Sequence, residues 1–356
     1  MVYVHVPFCR SFCTYCDFYS EIACRGRDEA AIGSYLDDLC AEAEARRPEI
    51  EATRAVNTLY IGGGTPSVLP PSAVRRIAEA AGGGPFDEFT VEVNPEDIVE
   101  KGEAYVESLL AAGVNRVSMG VQSLDDGMLR WMNRRHSSDG ARRAFSLLRG
   151  CGVGNVSVDI IFGVAHLSDA ALRSTLEEIL RWRPDHISAY QLSVEEGSAL
   201  GKMVREGRYV EASEDLCRTQ YDTICNLLCE AGYVHYEISN WALTGREAMH
   251  NSAYWTRQPY VGLGPGAHSF DGMSRSWNSQ SLRGWTSESE LLGVEEAVEE
   301  QIMLGLRTAE GILESLVSTE KADRLIREGA IVRKSGRIRI PEDRFFVSDQ
   351  IIADLI

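Results

Sequence analysis

The chain has 356 residues, with 36 Lys and Arg against 53 Asp and Glu, which gives a formal charge of −17. This length predicts two domains, or one large α/β domain with an appendage. The acidic excess argues against a nucleic-acid-binding surface, and no apolar run reaches the roughly 20 residues of a membrane span. Because no signal peptide is recognisable either, we expect a soluble cytosolic protein whose nine cysteines form no disulfide framework.

Short β-type segments alternate with helical segments through the first two thirds of the chain. The predicted strands cover residues 2–6, 57–61, 88–93, 115–119, 155–161 and 186–191. The helical patterns cover residues 28–47, 71–81, 100–112, 138–149, 170–182 and 211–231. Repeated strand–helix units predict a mostly parallel α/β sheet. In such sheets the functional loops follow the C-terminal ends of the strands.

The pattern changes after Tyr233, where aromatic residues, Gly and Asn become frequent and periodicity weakens. A helix is again predicted over 294–306, a hairpin over 331–340 and an amphipathic segment over 347–356. We therefore predict an α/β core over residues 1–233, a connecting layer over 234–290 and a small C-terminal domain over 291–356.

Three cysteines, Cys9, Cys13 and Cys16, fall within eight residues directly after the first predicted strand. A closed zinc site usually has four ligands, and the nearby candidates for a fourth are Asp17 and His5. An iron–sulfur cluster is also held by thiolates, and three of them leave one iron of a four-iron cluster open. Chance clustering of buried cysteines is the third interpretation.

The other cysteines are predicted to pack as small apolar side chains, as is usual for free cysteine. Two of them lie one helical turn apart, which leaves a metal-binding role open for that pair, Cys225 and Cys229. The remaining members of this group are Cys24, Cys40, Cys151 and Cys217.

Polar or glycine-rich segments also follow the later predicted strands. The glycines of 62–64 let the backbone approach a ligand closely. A charged residue inside an otherwise apolar strand, such as Asp159, is costly unless it binds something. Each polar residue alone could be a local cap, but one shared ligand explains the set better: Glu92, Asn94, Gln122, Ser123 and Asp159.

The C-x3-C-x2-C loop after a first α/β strand resembles the radical S-adenosylmethionine (SAM) superfamily. In that superfamily the open iron of a [4Fe–4S] cluster binds SAM, and one electron cleaves it. More specifically, essentially the whole chain resembles the oxygen-independent coproporphyrinogen-III-oxidase-like family, and within it a branch of haem chaperones. The motifs that carry this resemblance are residues 4–9, 15–18, 62–66, 92–95, 120–123 and 236–240.

The resemblance implies an α/β fold, namely a partial (β/α)6 radical SAM barrel with a small C-terminal α/β domain. Cys9, Cys13 and Cys16 would ligate the cluster. The cofactor-binding positions that it implies, chiefly for SAM, are Tyr3, Tyr15, Gly63, Gly64, Thr65, Glu92, Gln122, Arg134 and Asp159. For Arg134 the alternative is a solvated charge on a helix.

Two features favour the chaperone branch over the oxidase. The oxidase has a further Cys two residues after the third ligand, where this chain has Phe18, and it has a long N-terminal extension, whereas Cys9 stands eight residues after the first residue here. Residues 250–255 match H-N-x-x-Y-W, which resembles the haem-binding signature of the chaperones. A neutral imidazole is an ordinary axial ligand of haem iron, so His250 is the predicted haem ligand and His268 a second candidate. The alternative is that His250 is a satisfied core histidine.

One segment departs from the family pattern. After the fifth strand the family usually continues Leu-Pro-Gly-Gln, whereas residues 164–167 are Val-Ala-His-Leu. This loop borders the substrate side, so His166 represents either local packing or a variation of the site.

We therefore expect a chaperone that binds haem, a [4Fe–4S] cluster and SAM and delivers haem to a haem-requiring recipient protein. The resemblance also implies a cluster-dependent homodimer and a peripheral membrane association through the recipient. The alternative is an oxidase that decarboxylates the propionates of coproporphyrinogen III. A wide apolar cleft facing His250 would favour the chaperone, and a cleft lined by Arg and Lys would favour the oxidase.

Overall fold

A computed structural model gives the structure of the protein and describes residues 1–22 and 28–356. Cys24 lies outside the described residues, so its predicted packing is not addressed.

The part of the chain that the structure describes contains seventeen β-strands. They are β1 (Val2–Val6), β2 (Phe8–Cys9), β3 (Glu21–Ile22), β4 (Thr58–Gly63), β5 (Glu88–Val93), β6 (Arg116–Gln122), β7 (Val156–Phe162), β8 (His186–Gln191), β9 (Val234–Glu237), β10 (Asn240–Ala242), β11 (Val261–Leu263), β12 (His268–Phe270), β13 (Ser274–Asn278), β14 (Ser287–Leu291), β15 (Ile312–Leu313), β16 (Val332–Lys334) and β17 (Arg337–Arg339).

The α-helices lie mainly between these strands. They are α1 (Asp28–Ala45), α2 (Arg47–Ala52), α3 (Pro71–Ala80), α4 (Pro95–Ala111), α5 (Asp126–Trp131), α6 (Ser138–Gly150), α7 (Asp169–Trp182), α8 (Ala199–Arg205), α9 (Glu214–Glu230), α10 (Met249–Trp255), α11 (Val294–Gly305), α12 (Thr319–Arg327) and α13 (Ser348–Leu355).

Nine strands form the main sheet, in the order β11-β1-β4-β5-β6-β7-β8-β10-β9. Six consecutive strands of this sheet pair in parallel with their neighbours, namely β1, β4, β5, β6, β7 and β8. The edge strand β11 also pairs in parallel with β1. The predicted mostly parallel sheet is therefore confirmed, and all six predicted strands are present. Helices pack against one another in pairs, with α1 against α3, α4 against α6 and α7 against α9.

Serine caps explain where several of these helices begin. The side chains of four serines each accept a hydrogen bond from the backbone N–H three residues further on, which satisfies one of the free donors at the helix start. These capping residues are Ser137, Ser168, Ser198 and Ser213.

The main sheet continues beyond residue 233, the predicted end of the core. The strands β9, β10 and β11 belong to it, because β10 pairs antiparallel with β8 and β11 extends the edge at β1. Their brevity, three or four residues each, explains why the sequence pattern there is weak. The division of the chain at 233 and 290 stays a prediction, although the sheet itself crosses the first of these boundaries.

The C-terminal part contains helices and a small separate sheet. The predicted hairpin is confirmed as the antiparallel pair of β16 and β17, to which β15 adds a third strand. The predicted helix over 294–306 is present as α11, and the predicted amphipathic segment over 347–356 contains the helix α13. No helix in residues 1–22 and 28–356 is long and apolar enough to cross a membrane.

Candidate functional site

A cavity of about 1000 Å³, here called the mouth cavity, lies where β4 to β8 end. The carboxyl ends of parallel strands meet at one edge of the sheet, which brings residues distant in sequence together. Every predicted cluster or cofactor residue except Tyr3 and His250 contributes to its wall. These wall residues are Cys9, Cys13, Cys16, Tyr15, Gly63, Gly64, Thr65, Glu92, Gln122, Arg134 and Asp159.

The cysteine loop is attached to two other parts of the chain. The Thr14 N–H donates to the Met132 carbonyl at 3.1 Å, and the Thr14 carbonyl accepts from the Leu200 N–H at 2.8 Å. The thiol of Cys9 is buried, whereas those of Cys13 and Cys16 are partly open to the cavity. These anchors hold the three sulfurs around one side of the mouth cavity.

The donor set suits an iron–sulfur cluster. In the part of the chain that the structure describes, no three His, Cys, Asp or Glu side chains are arranged around a single metal ion. Three thiols share the wall of one cavity, and an Arg134 N–H lies 3.4 Å from the Cys13 sulfur. Thiolate ligands with N–H donors on their sulfurs are the usual environment of such clusters. Burial raises the pKa of Cys9, and it raises that of Cys16 to about 11, so these thiolates need the positive charge of bound iron.

The glycine loop packs directly against the cysteine loop. Gly63 has φ +105°, and a Cβ there would lie 2.6 Å from the His5 ring. A Cβ on Gly64 would lie 2.8 Å from the Phe8 carbonyl oxygen and 3.1 Å from the Cys9 sulfur. Only glycine fits these two positions. The Thr65 N–H then donates to the Phe8 carbonyl at 2.7 Å, which fixes the loop at the cavity wall.

Arg134 is not a solvated helix charge. One guanidinium nitrogen donates to Asn94 Oδ1 at 2.6 Å and to the Gly120 carbonyl at 2.8 Å, and the other contacts Cys13. Its buried Nε has no hydrogen-bond partner among the described atoms. The side chain therefore connects the ends of β5 and β6 with the cysteine loop and retains an unused donor.

Glu92 is a buried carboxyl group held by two donors. The Tyr60 hydroxyl donates to Oε1 at 2.7 Å, and the Gly63 N–H donates to Oε2 at 3.2 Å. Burial, with a smaller contribution from the charge of Asp159, raises the pKa of Glu92 to about 7, although the two hydrogen bonds work in the opposite direction. The group is therefore able to change its protonation state near neutral pH.

Asp159 occupies the neighbouring wall. The Ser118 hydroxyl lies 3.2 and 3.0 Å from its two carboxylate oxygens, and burial raises the pKa of Asp159. Gln122 ends β6 beside a register shift in the pairing with β7, and its φ of +64° is rare for a residue with a side chain. Such backbone strain is concentrated at functional sites.

Most of the polar residues beneath the mouth cavity, and two in its wall, Tyr60 and Ser118, were not predicted from the sequence. Alternate residues of adjacent strands point to the same side of a sheet, and the pairing register aligns several such polar residues. The sequence signal that could have revealed these residues is a polar side chain at every second position of a strand. The residues that were missed include Thr58, Tyr60, Glu88, Thr90, Arg116, Ser118, Ser157, His186 and Ser188.

Tyr3 lies within this interior rather than on the cavity wall. Its hydroxyl is 3.2 Å from His5 Nδ1, and its ring centroid is 6.1 Å from that of Tyr60. Tyr15 does line the cavity, beside the cluster cysteines, and burial raises its pKa.

His250 lies at the opposite end of the strands from the mouth cavity. It is 1% exposed, its Nδ1 is 2.8 Å from Thr58 Oγ1, and its Nε2 is 3.0 Å from the Tyr254 hydroxyl. Thr58 begins β4, so this is the N-terminal end of the sheet. Burial lowers the pKa of His250 to about 3. In this structure His250 is a satisfied core histidine, and it faces neither an apolar cleft nor one lined by Arg and Lys.

Cys225 and Cys229 line a second cavity of about 580 Å³ between α9 and the C-terminal region. His235 shares that cavity, but its Nε2 is 3.4 Å from the Tyr221 hydroxyl. Burial raises the pKa of Cys225 to about 12. The described residues contain no three-ligand arrangement at this position. Cys225 is partly buried, but Cys229 is exposed, so the prediction that Cys229 packs as a small apolar side chain is wrong.

Comparisons with known proteins agree with this geometry. Residues 3–179 match the Radical SAM superfamily. The chain is 31% identical to "Heme chaperone HemW" of Mycobacterium tuberculosis, covering 100% of this chain and 94% of that protein. It is 32% identical to the HemW of Lactococcus lactis, covering 87% of this chain and 82% of that one.

A solved structure has the same fold. The coproporphyrinogen III oxidase HemN of Escherichia coli, described as a radical SAM enzyme, aligns with a TM-score of 0.80 over 99% of this chain and 89% of its own, at 18% identity. That likeness confirms the predicted partial barrel with a C-terminal α/β region and concerns the fold alone. The identities to the curated proteins extend along the whole chain, and the protein therefore belongs to the HemW family within the radical SAM superfamily.

Proposed function

We propose that this protein is a haem chaperone that carries a [4Fe–4S] cluster and SAM and delivers haem to a haem-requiring recipient protein. The alternative that we weigh against it is an oxidase acting on coproporphyrinogen III. The curated relatives named above are haem chaperones, and the match to them covers nearly all of this chain. That similarity supports the chaperone but does not by itself distinguish the two activities.

The charge of the mouth cavity is the observation that favours the chaperone over the oxidase. Coproporphyrinogen III has four carboxylate groups, so a site for it needs an excess of cations. The wall of the mouth cavity instead has six carboxyl side chains and three guanidinium groups. The acidic members are Asp17, Glu92, Glu96, Asp97, Asp159 and Glu195, and the basic ones are Arg10, Arg134 and Arg135.

The guanidinium groups of this wall also have partners already. Arg10 forms ion pairs with Asp97 and Glu100, and Arg134 is engaged by Asn94 and Gly120. A tetra-anionic substrate would have to displace these partners and also overcome the nearby carboxylates. The cavity therefore suits a zwitterionic ligand such as SAM better than it suits the oxidase substrate.

Within the proposal, Cys9, Cys13 and Cys16 would hold the cluster. When bound, such a cluster supplies an open iron for the amino and carboxylate groups of SAM and a single electron. Gly63, Gly64 and Thr65 would present backbone groups to the methionyl part of SAM. The carboxylate of Glu92 would accept from its amino group, with Tyr60 and the Gly63 N–H keeping that carboxylate in place.

The remaining contacts of SAM are assigned to the same wall. The unused Nε donor of Arg134 suits the SAM carboxylate. Gln122 and Asp159, at the ends of neighbouring strands, and Tyr15, in the cysteine loop, line the same cavity and would also contact SAM. Tyr3 would act from below, through the packing of its ring near Tyr60.

Haem binding by His250 would require a rearrangement. Both ring nitrogens already have hydrogen-bond partners, Thr58 and Tyr254, and at least one of them must be released before iron could bind. Each such buried hydrogen bond contributes about 1 kcal/mol. The H-N-x-x-Y-W helix would therefore have to move away from β4 to admit haem.

The proposal includes a cytoplasmic location, a homodimer formed when the cluster is loaded, and membrane association only through the recipient. The dimer is testable by sedimentation before and after cluster reconstitution.

The decisive experiment is an anaerobic titration of the cluster-loaded protein with haem, followed by absorption spectroscopy, beside an assay for loss of coproporphyrinogen III with SAM and a reductant. We expect a saturable shift of the Soret band at about one haem per chain and no loss of coproporphyrinogen III. The opposite pair of results would overturn the chaperone in favour of the oxidase.

A further inference from the structure

The two histidines predicted as haem ligands differ in accessibility. His268 is exposed on β12, and its ring centroid is 6.3 Å from that of Trp277. His250, in the H-N-x-x-Y-W helix α10, is 1% exposed, and both of its ring nitrogens have hydrogen-bond partners. An axial ligand must present a free ring nitrogen to haem iron. The position of α10 in this structure is therefore a closed one, and haem reaches His250 only if the helix moves.

A buried carboxylate holds the first residues of α10. Glu88 begins β5 and is 4% exposed. Its Oε2 accepts from the Met249 N–H at 2.8 Å, and its Oε1 accepts from the His250 N–H at 3.1 Å. Hydrogen bonds to a charged acceptor are stronger than those between neutral groups. The residue before the helix, Ala248, makes no side-chain hydrogen bond to these donors, so their satisfaction depends on Glu88.

Two hydroxyl groups hold the same turn of the chain. Thr58 Oγ1 is 2.8 Å from His250 Nδ1, and Thr58 pairs directly with Glu88 in the register of β4 and β5. The Tyr236 hydroxyl accepts from the Ala248 N–H at 3.3 Å. The start of α10 is thus bound from three strands, β4, β5 and β9. Because these contacts come from different strands, all of them must break when the helix leaves the sheet.

Glu88 belongs to the sheet and would stay there when α10 moves. The Thr90 hydroxyl donates to Glu88 Oε1 at 3.4 Å and accepts from an Arg116 guanidinium N–H at 3.4 Å. Burial lowers the pKa of Arg116, but the charge of Glu88 and of other groups raises it above its ordinary value. Arg116 is therefore a counter-charge that remains near Glu88 after the helix has left, which allows the contact with α10 to break and re-form.

The contacts within α10 do not resist such a movement. The second partner of His250 is the Tyr254 hydroxyl, which belongs to the same helix, so that hydrogen bond moves with it. Met249 is 45% exposed, which places one side of the helix at the surface. The polar contacts that oppose release are therefore the three from the strands, and those of Glu88 involve a charge.

We propose that Glu88 is a positioning residue for haem binding: its carboxylate holds α10 closed, and haem binds when Met249 and His250 leave it. The inference rests on the proposed haem binding, with His250 as the ligand, and specifies what controls access to that ligand. A protein whose binding-competent form is a small fraction of the population has its affinity reduced by that fraction. Weakening the contacts of Glu88 therefore raises that fraction and accelerates haem binding.

The test follows haem association with the cluster-loaded full chain by stopped-flow absorption at the Soret band. Glu88→Gln keeps the shape of the side chain but replaces one acceptor oxygen with an NH2 group that cannot accept an N–H. We expect it to bind haem about tenfold faster, with a lower Kd. Thr58→Val keeps the charge next to Arg116 and should also accelerate binding, so it decides the question if Glu88→Gln folds poorly. Glu103→Gln, an exposed residue on α4, should bind at the original rate. A purely structural role of Glu88 predicts the reverse, namely weaker binding.

Amide hydrogen exchange of the haem-free protein tests the contact independently of haem. Residues 248–255 should exchange faster in Glu88→Gln than in the original chain, whereas the amides of α4 should keep their protection. Unchanged exchange at residues 248–255, or haem binding no faster in Glu88→Gln and in Thr58→Val, overturns the inference. If the original chain and all variants bind no haem, the proposed function itself is overturned, whereas the exchange result still decides whether Glu88 holds the helix.

Discussion

The hydroxyl of Tyr60 donates a 2.7 Å hydrogen bond to Glu92, and the Tyr60 ring lies 5.2 Å from the His250 ring. One side chain thus connects the mouth cavity with the helix of the H-N-x-x-Y-W motif at the other end of the strands. Tyr60 itself lines the cavity, and the contact of its ring with His250 links the Glu92 carboxylate to a residue outside the cavity wall.

Removal of the Tyr60 hydroxyl should weaken SAM binding. In Tyr60→Phe the Glu92 carboxylate loses one of its two donors, and a hydrogen bond to a charged group contributes about 1.5–3 kcal/mol. We expect the Kd of SAM for the cluster-loaded protein to rise about tenfold, measured by calorimetry. Tyr105→Phe is the control, because the Tyr105 hydroxyl bonds to the Ser67 carbonyl. An unchanged Kd in Tyr60→Phe would contradict this role of Tyr60.

Replacing Glu92 should stabilise the protein at high pH. Its pKa is raised from 4.5 to about 7 in the folded state, so the folded protein favours the protonated carboxyl. That stability is present below about pH 4.5 and is lost as pH rises through 7. Glu92→Gln should therefore increase the free energy of unfolding by roughly 1–3 kcal/mol at pH 8 and change it little at pH 4.5.

Urea unfolding of the SAM-free protein at the two pH values measures this effect. The matched control is Glu103→Gln, an exposed residue on α4, which should change neither midpoint. Equal effects of Glu92→Gln at both pH values would show that the carboxyl does not titrate between them.

Loss of the Arg134 guanidinium should change the electronic properties of the cluster. Its N–H lies 3.4 Å from the Cys13 sulfur, and hydrogen bonds to ligand sulfurs influence reduction potential. In Arg134→Lys we expect a lower midpoint potential, because the shorter side chain keeps the charge but loses the guanidinium N–H donor to the Cys13 sulfur. Potentiometric titration monitored by electron paramagnetic resonance measures this shift. Arg135→Lys, whose side chain is 38% exposed, should leave the potential unchanged, and an equal shift in both variants would refute a specific role.

Buried neutral histidines should make the protein sensitive to acid. Burial lowers the pKa of His250 to about 3 and that of His235 to about 4. Below pH 6.5 the unfolded chain takes up protons that the folded one refuses, so stability is lost as pH falls from about 6.5 towards these values. Each group contributes about 1.4 kcal/mol per pH unit over its range.

The variant His250→Gln should therefore flatten the dependence of unfolding free energy on pH between about 4 and 6. Its own loss of packing and hydrogen bonds should lower stability at pH 7 by roughly 1–3 kcal/mol. His166→Gln, with its exposed ring, should keep the original slope. The same slope in all three proteins would argue against a buried neutral His250.

Much of the fold follows from local sequence pattern. Helix starts coincide with serine caps such as Ser137 and Ser168, and the six parallel strands are apolar runs between helices. Such signals are local and strong. The strands β10 and β11 of the main sheet were missed because three residues are too few to establish a period, and their partners β8 and β1 lie far away in the chain.

The candidate site was predictable where one short segment carries the chemistry. Three cysteines at fixed spacing, and glycines at 62–64, predict a cluster loop and its neighbour without a structure, and the fold brings both segments to one cavity. The polar interior was not predicted, because residues such as Tyr60 and Arg116 are polar residues in apolar strands whose partners are supplied by adjacent strands. Each looks unexplained until the register of the sheet is known.

By itself, the sequence determined the strand–helix alternation, the cysteine loop and the family, since each depends on residues near one another in the chain. The tertiary structure alone decided which polar groups share a cavity and which are closed off. His250 and His166 illustrate this: sequence favoured the first as haem ligand, yet the fold buries it against Thr58 and leaves the second exposed between Trp131 and Tyr209. The reason is physical, because burial and hydrogen-bond partners are properties of side chains brought together from distant parts of the chain.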